Sequence, residues 1–269
     1  MLEDVQASSG VLGTLELLRV QRDGVVLHAR LNRPQKRNSV SDALLAQLHT
    51  LFLNLPGDVR AVVLSGEGEH FCAGLDLSEV SERSVVEGIH HSRAWHAAFE
   101  AMQFGPVPVL AVLHGAVVGG GLELAAAAHL RIAERSAFYA LPEGQRGIFV
   151  GGGGSVRISR LIGVARMTDM MLTGRVLDAA EGQALGVSNY LVDDGQGLAK
   201  ALELARRIAG NAPLSNYAIT QALPRIAELS PGEGLFVEAL MSSIAQGDDA
   251  AKQRVRDFLE KRAAKVGKA

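Results

Sequence analysis

The chain has 269 residues, 48% hydrophobic and 21% charged, which suits one large domain or a domain with a helical appendage and supports a sizeable core. A net charge of −2 gives no global basic surface for nucleic acid or an anionic membrane, and the single cysteine, Cys72, excludes an internal disulfide and fits a reducing cytosol. Met1 to Gly10 lacks the basic and apolar regions of a leader, and no apolar run reaches the roughly 18 residues that span a bilayer, so a soluble cytoplasmic protein is expected.

Two alternating apolar segments open the chain, Thr14 to Val20 and Val25 to Leu31, and Asp23-Gly24 between them signals a hairpin. Ser39, Ser41 or Asp42 then caps a helix to about Leu55. Arg60 to Leu64 reads as a buried strand, followed by a glycine-rich loop and the segment Phe71 to Leu77. A second round has a helix from about Glu82 to Phe104, a strand from Val109 to Leu113, a turn at His114-Gly115, and Gly119-Gly120-Gly121 opening a helix to His129. Leu130 to Ala133 and Ala137 to Ala140 are short strands, and from Gly163 the pattern is almost wholly helical, with Ser188 to Val192 the one strand. These elements predict an α/β core to about residue 195 and a helical region over 196–269.

Three stretches place exposed backbone among apolar neighbours: Phe71 to Leu77, Val117 to Leu124, and Leu141 to Gly144. Glycines before a helix leave its first N–H groups open to a ligand oxygen, which suits a phosphate or a developing oxyanion. Close packing of helix on sheet explains the same glycines, and Ala125 to Ala128 fits that reading. A Walker ending and a G-x-G-x-x-G after a strand are both missing, so nucleotide-phosphate sites of those types are poorly supported. Glu123 in the first helical turn and Glu143 in a loop each have a plain structural explanation, in the helix dipole and in solvation. His90, His91 and His114 have no zinc-site spacing, and Trp95, the only tryptophan, is read as packing.

In combination these segments carry more. Leu31-Asn32-Arg33-Pro34 with Asn38, Phe71 to Leu77, His114-Gly115 with Gly119 to Leu124, and Pro142-Glu143 resemble, in order and spacing, the enoyl-CoA hydratase/isomerase (crotonase) family over about residues 14–265. The resemblance implies a crotonase-like α/β spiral of ββα turns with a helical C-terminal trimerisation region, assembled as a trimer or a dimer of trimers. It implies an acyl-CoA thioester as substrate, no cofactor beyond the coenzyme A that substrate carries, no metal, and no nucleic-acid or membrane partner. The main-chain N–H groups of Leu75 and Gly120 would form the oxyanion hole, and Glu123 and Glu143 the acid/base pair. Glu143 would deliver the Cα proton while Glu123 positions and helps deprotonate the water. Ala73, Asp76 and Leu77 of the same motif would line the substrate. Lys36, Arg37, Phe258 and Lys261 would reach coenzyme A, the last two from a neighbouring subunit; an ordinary solvated loop and an amphipathic surface helix are the alternatives for these four.

One stretch departs from the familiar hydratase pattern. Gly147 to Ile158 keeps the glycine turn but lacks the usual proline, threonine and glutamine. That arrangement looks like the methylthioacryloyl-CoA hydratases. On the same scaffold an enoyl-CoA isomerase or a thioester hydrolase is the alternative enzyme, and a non-catalytic RNA-binding or scaffold relative the alternative of another class; the retention of both glutamates and the low net charge speak against the latter.

Overall fold

The computed structural model describes residues 2–4, 10–79 and 82–260. The N-terminal hairpin forms as its sequence predicts, with Gly24 at φ 60° making the turn. Its strands are β2 (Leu18–Asp23) and β3 (Val26–Leu31), and the short β1 (Glu3–Asp4) pairs with the outer edge of β2. The first strand begins later than its apolar pattern, at Leu18 instead of Thr14, after a 3₁₀ turn at Gly10–Thr14, and it runs on to Asp23.

From β3 onward the chain repeats one move. A strand enters a parallel sheet, a second extended segment enters another layer, and a helix returns. The large sheet gains β4 (Ala61–Gly66), β5 (Val109–Leu113), β7 (Leu130–Glu134) and β10 (Tyr190–Val192), for the order β1-β2-β3-β4-β5-β7-β10. The second layer holds β6 (Ala116–Val118), β8 (Phe138–Ala140) and β9 (Leu177–Asp178). Single bridges extend that layer backwards, Cys72 pairing with Val117 and Val40 with Leu75. The returns are α1 (Asp42–Leu53), α2 (Val85–Gln103) and α3 (Gly120–Ala127). Strands β4 and β5 are buried along their whole length, as parallel strands covered on both faces must be.

Local chemistry sets the helix starts. The Ser41 hydroxyl accepts from the Leu44 N–H to cap α1, and Ser84 with Glu87 forms a capping box on α2. Beyond β8 come α4 (Gly154–Ile162), α5 (Val164–Thr173), α6 (Ala179–Leu185) and α7 (Gly197–Ala209). Helix α4 has no counterpart in the sequence expectation, since its start lies in a glycine run that reads as a turn.

The chain divides into two compact units, Met1–Arg206 and Arg207–Ala269. The first contains both sheets. In the second, α8 (Pro213–Ile226) packs on α9 (Pro231–Gly247), and α9 on α10 (Asp249–Leu259). No described helix is long and apolar enough to cross a membrane. The molecule is thus a mixed α/β spiral with a helical C-terminal unit.

Candidate active site

Two turns of the spiral meet where residues 73–77 pass the start of α3. The Gly74 carbonyl accepts from Val40 N–H at 2.7 Å, and the Asp76 N–H donates to the Val40 carbonyl at 2.9 Å. Backbone groups alternate along an extended segment, so the N–H of Leu75, between them, turns the opposite way. Helix α3 begins beside it. Gly119, at φ 51° and ψ −123°, holds a conformation closed to other residues, and Gly120 supplies the first helical N–H, which has no partner within the helix. No acceptor among the described residues takes the N–H of Leu75 or of Gly120. The two are neighbours: a Cβ added to Gly120 would stand 3.5 Å from the Leu75 nitrogen, and one added to Gly74 would stand 3.5 Å from the Gly120 nitrogen.

These donors face a pocket whose wall also includes Ala73, Leu77, Glu143 and Ile148. Glu143 enters through Pro142, which ends β8's extension, and begins the 3₁₀ turn Gly144–Arg146. Its side chain is 6% exposed, and its Oε2 has no hydrogen-bond partner. Burial pushes its carboxyl above the usual range and the charge of Glu123 adds to this, while its own backbone and Arg146 oppose the rise.

Glu123 is 3% exposed and lies off the pocket wall. Its Oε1 accepts two main-chain hydrogen bonds, from Gly152 at 2.9 Å and Gly154 at 2.7 Å. Burial raises this carboxyl too, against the pull of those N–H groups and the Arg157 guanidinium. The two acids therefore differ: one is clasped by donors, the other is dry with a free oxygen.

The family model for enoyl-CoA hydratase/isomerase matches residues 21–268. This chain belongs to that family. Relatives of the enoyl-CoA hydratase/isomerase family include enoyl-CoA hydratase EchA19 of Mycobacterium tuberculosis, 30% identical over 91% of this chain and 94% of that protein. The short-chain-enoyl-CoA hydratase of Clostridium acetobutylicum is 30% identical over 90% and 94%. Among solved structures, a Rhodopseudomonas palustris protein described as a "putative enoyl-CoA hydratase" superposes with a TM-score of 0.90 at 58% identity, covering 94% of this chain and 98% of that one. Enoyl-CoA hydratase from Bacillus anthracis gives a TM-score of 0.86 at 32% identity, covering 91% and 97%. This chain is accordingly an enzyme of the enoyl-CoA hydratase kind, with the crotonase fold.

The remaining family positions divide by location. Ala73 and Leu77 lie on the pocket wall; Asp76 does not. The Asp76 carboxylate instead accepts from Arg33 at 2.8 Å and from the Ser78 hydroxyl at 2.6 Å. Those contacts, Ser78 foremost, hold its pKa down at about 2. Lys36 and Arg37 are exposed, and the Arg37 carbonyl accepts from Ala73 N–H, which ties their loop to the pocket's edge. Phe258 is 65% exposed on α10 of the second unit, and Lys261 lies outside the described residues.

Several residues around the pocket have no site role in the sequence reading. Asn38, fully buried at φ 54°, donates to the carbonyls of Glu67 and His70 and so pins the loop that leads into residues 73–77. Arg146 lines the pocket beside Glu143. Trp95 is packing, as expected, but at a sensitive place: a Cβ on Gly120 would come within 2.8 Å of its ring. Among the described residues no three His, Cys, Asp or Glu side chains converge as metal ligands, and Cys72 is a buried thiol pushed up to about 12.

Proposed function

We propose that the protein adds water across the 2,3 double bond of an enoyl-CoA thioester. The observation that carries this is the pairing of two unclaimed main-chain N–H groups, on Leu75 and Gly120, with a dry carboxyl at Glu143 on the same pocket wall. The thioester oxygen accepts both N–H groups and holds the negative charge that develops as the double bond is attacked. Water bonds to Cβ through its oxygen and gives up a proton to the Glu123 carboxylate. Glu143 gives its proton to Cα, and the enolate collapses to the saturated 3-hydroxy thioester.

The division of labour follows from the environments. Two N–H donors favour the ionised form of Glu123, as a base requires. Glu143 has a desolvated oxygen without a donor and a neighbouring negative charge, both of which favour holding a proton. Lys36 and Arg37 are placed in this reading against coenzyme A phosphates, with Phe258 and Lys261 reaching the same ligand in a neighbouring copy of a trimer or a dimer of trimers. A cytoplasmic enzyme without cofactor is the corresponding expectation. The unusual run Gly147 to Ile158 puts a branched or thioether acyl group, such as methylthioacryloyl, beside straight chains as candidate substrates.

The test is direct. Purified protein mixed with crotonyl-CoA and with methylthioacryloyl-CoA should bleach the conjugated thioester absorbance. Glu143→Gln should lower kcat by about 10²–10⁴-fold, the usual contribution of a general acid, while still binding the thioester. Migration of a 3-enoyl double bond without hydration, or hydration undiminished in the Gln variant, would reject the reading.

A further inference from the structure

We propose, resting on the hydratase reading, that Arg157 is a positioning residue for Glu123, acting through the carbonyl of Gly152 and itself held by Gln103. Arg157 stands in the first turn of α4. Its Nη1 donates to the Gly152 carbonyl at 3.0 Å, and its Nε donates to Gln103 Oε1 at 2.6 Å. The Gly152 carbonyl lies, along the chain, between the two N–H groups that grip Glu123 Oε1, those of Gly152 and Gly154. Holding that oxygen restrains the short stretch of backbone from which both donors project.

The anchor continues away from the pocket. The Gln103 carbonyl, at the end of α2, accepts from His129 Nε2 at 2.9 Å, and His129 Nδ1 accepts from the Val109 N–H at 2.9 Å. Those two bonds define one neutral tautomer, and burial lowers the ring's pKa to about 4, so His129 keeps that form at physiological pH. A line of hydrogen bonds thus runs from the start of β5, through the end of α2 and Arg157, to the carboxylate of Glu123.

The glycine run takes its shape from the same contacts. A Cβ on Gly152 would fall 2.9 Å from Trp95 and 3.1 Å from Glu123 Oε2. On Gly153, at φ 96°, it would overlap Arg157 Nη1, and on Gly154 it would come 2.8 Å from Glu123 Oε1. The run departs from the familiar hydratase sequence, yet Gly152, Gly153 and Gly154 in it clear room for the acid or its support.

Charge follows geometry. Glu123 is faced by Arg157 from α4 and by Glu143 from the loop after β8; Trp95 and Phe99 of α2 add only apolar surface. Arg157 in turn feels Glu100 of α2, and Arg146 acts on Glu143. Removing the Arg157 charge therefore leaves Glu123 with one cation fewer and the same neighbouring anion, and its proton is held to higher pH.

Arg157→Met should lower kcat by about 100-fold, the scale of a small misplacement of a reacting group, with little change in KM. The acidic limb of its kcat–pH profile should move to higher pH. Arg157→Lys, which keeps charge but not the fork, should leave that limb in place and lose less activity. Gln103→Leu, which keeps the guanidinium and frees it, should fall between the two and carries the test if the Met variant does not fold. A ¹³C-carboxyl NMR titration of Glu123 in the free protein should show the same rise in the Met variant, independent of turnover. An unmoved titration, a loss confined to KM, or equal losses in the Met and Lys variants would overturn the proposal. Wild-type protein that hydrates no enoyl-CoA would instead defeat the hydratase reading, and the titration would still decide what Arg157 does to Glu123.

Discussion

Glu143 is costly to the fold at neutral pH in the same way that would make it useful to the proposed reaction. Its carboxyl is raised in the folded state, so the native protein binds that proton more tightly than the unfolded chain. The associated stability is full below the ordinary carboxylate range and is lost as pH rises through the raised value. Glu143→Gln should therefore stabilise the protein at neutral pH by about 1 kcal/mol, and the gain should vanish in acid, which chemical denaturation at the two pH values would measure. Asp76 carries the opposite sign. Its pKa of about 2 lies below the ordinary aspartate value of 3.8, so its stability is present above that value and lost as pH falls toward 2. Asp76→Asn should cost about 2 kcal/mol at neutral pH, through the bonds to Arg33 and Ser78, and progressively less in acid. The family resemblance makes Asp76 a substrate contact because it follows Leu75 in the motif. Its bond to Arg33, forty-three positions upstream, is one that no local pattern in the sequence announces.

At the scale of elements, the start of α3 is the most demanding piece. Gly120→Ala would drive a Cβ toward the Trp95 ring at 2.8 Å, so the ring or the helix start must move. Hydration should fall by about 10²–10³-fold, as for loss of one oxyanion donor, with a change in tryptophan fluorescence that reports the displaced ring. Trp95 is the sole tryptophan, so that signal has one source. Strands β2 to β5, β7, β8 and β10, α1 to α3 and the helices after Gly163 were legible because their apolar spacing and caps are local. Strands β1, β6 and β9 and helix α4 were not: the strands are only two or three residues long, β9 adding a second strand to the region after Gly163, and α4 starts on glycines, poor helix formers that are present here to make room for Glu123 and Arg157. The proposed acid pair rests in the sequence on the order of motifs alone, since neither glutamate has a signature of its own.

For the molecule as a whole, the second unit presents Leu235, Phe236, Leu240 and Ile244 with half or more of their surface uncovered, apart from Leu240 at 49%. Covering the exposed half to two thirds of such side chains yields roughly 1–2 kcal/mol each, a driving force for the expected trimer. Light scattering of the purified protein should give three or six times 28.4 kDa, and Phe236→Asp should shift it toward the monomer. The central claim, though, concerns one carbonyl. A ¹³C=O-labelled enoyl-CoA bound to Glu143→Gln should show its thioester carbonyl band in infrared difference spectra moved to lower wavenumber, because two main-chain N–H groups polarise it before any proton moves. A band at the position seen in water, with the ligand demonstrably bound, would contradict that.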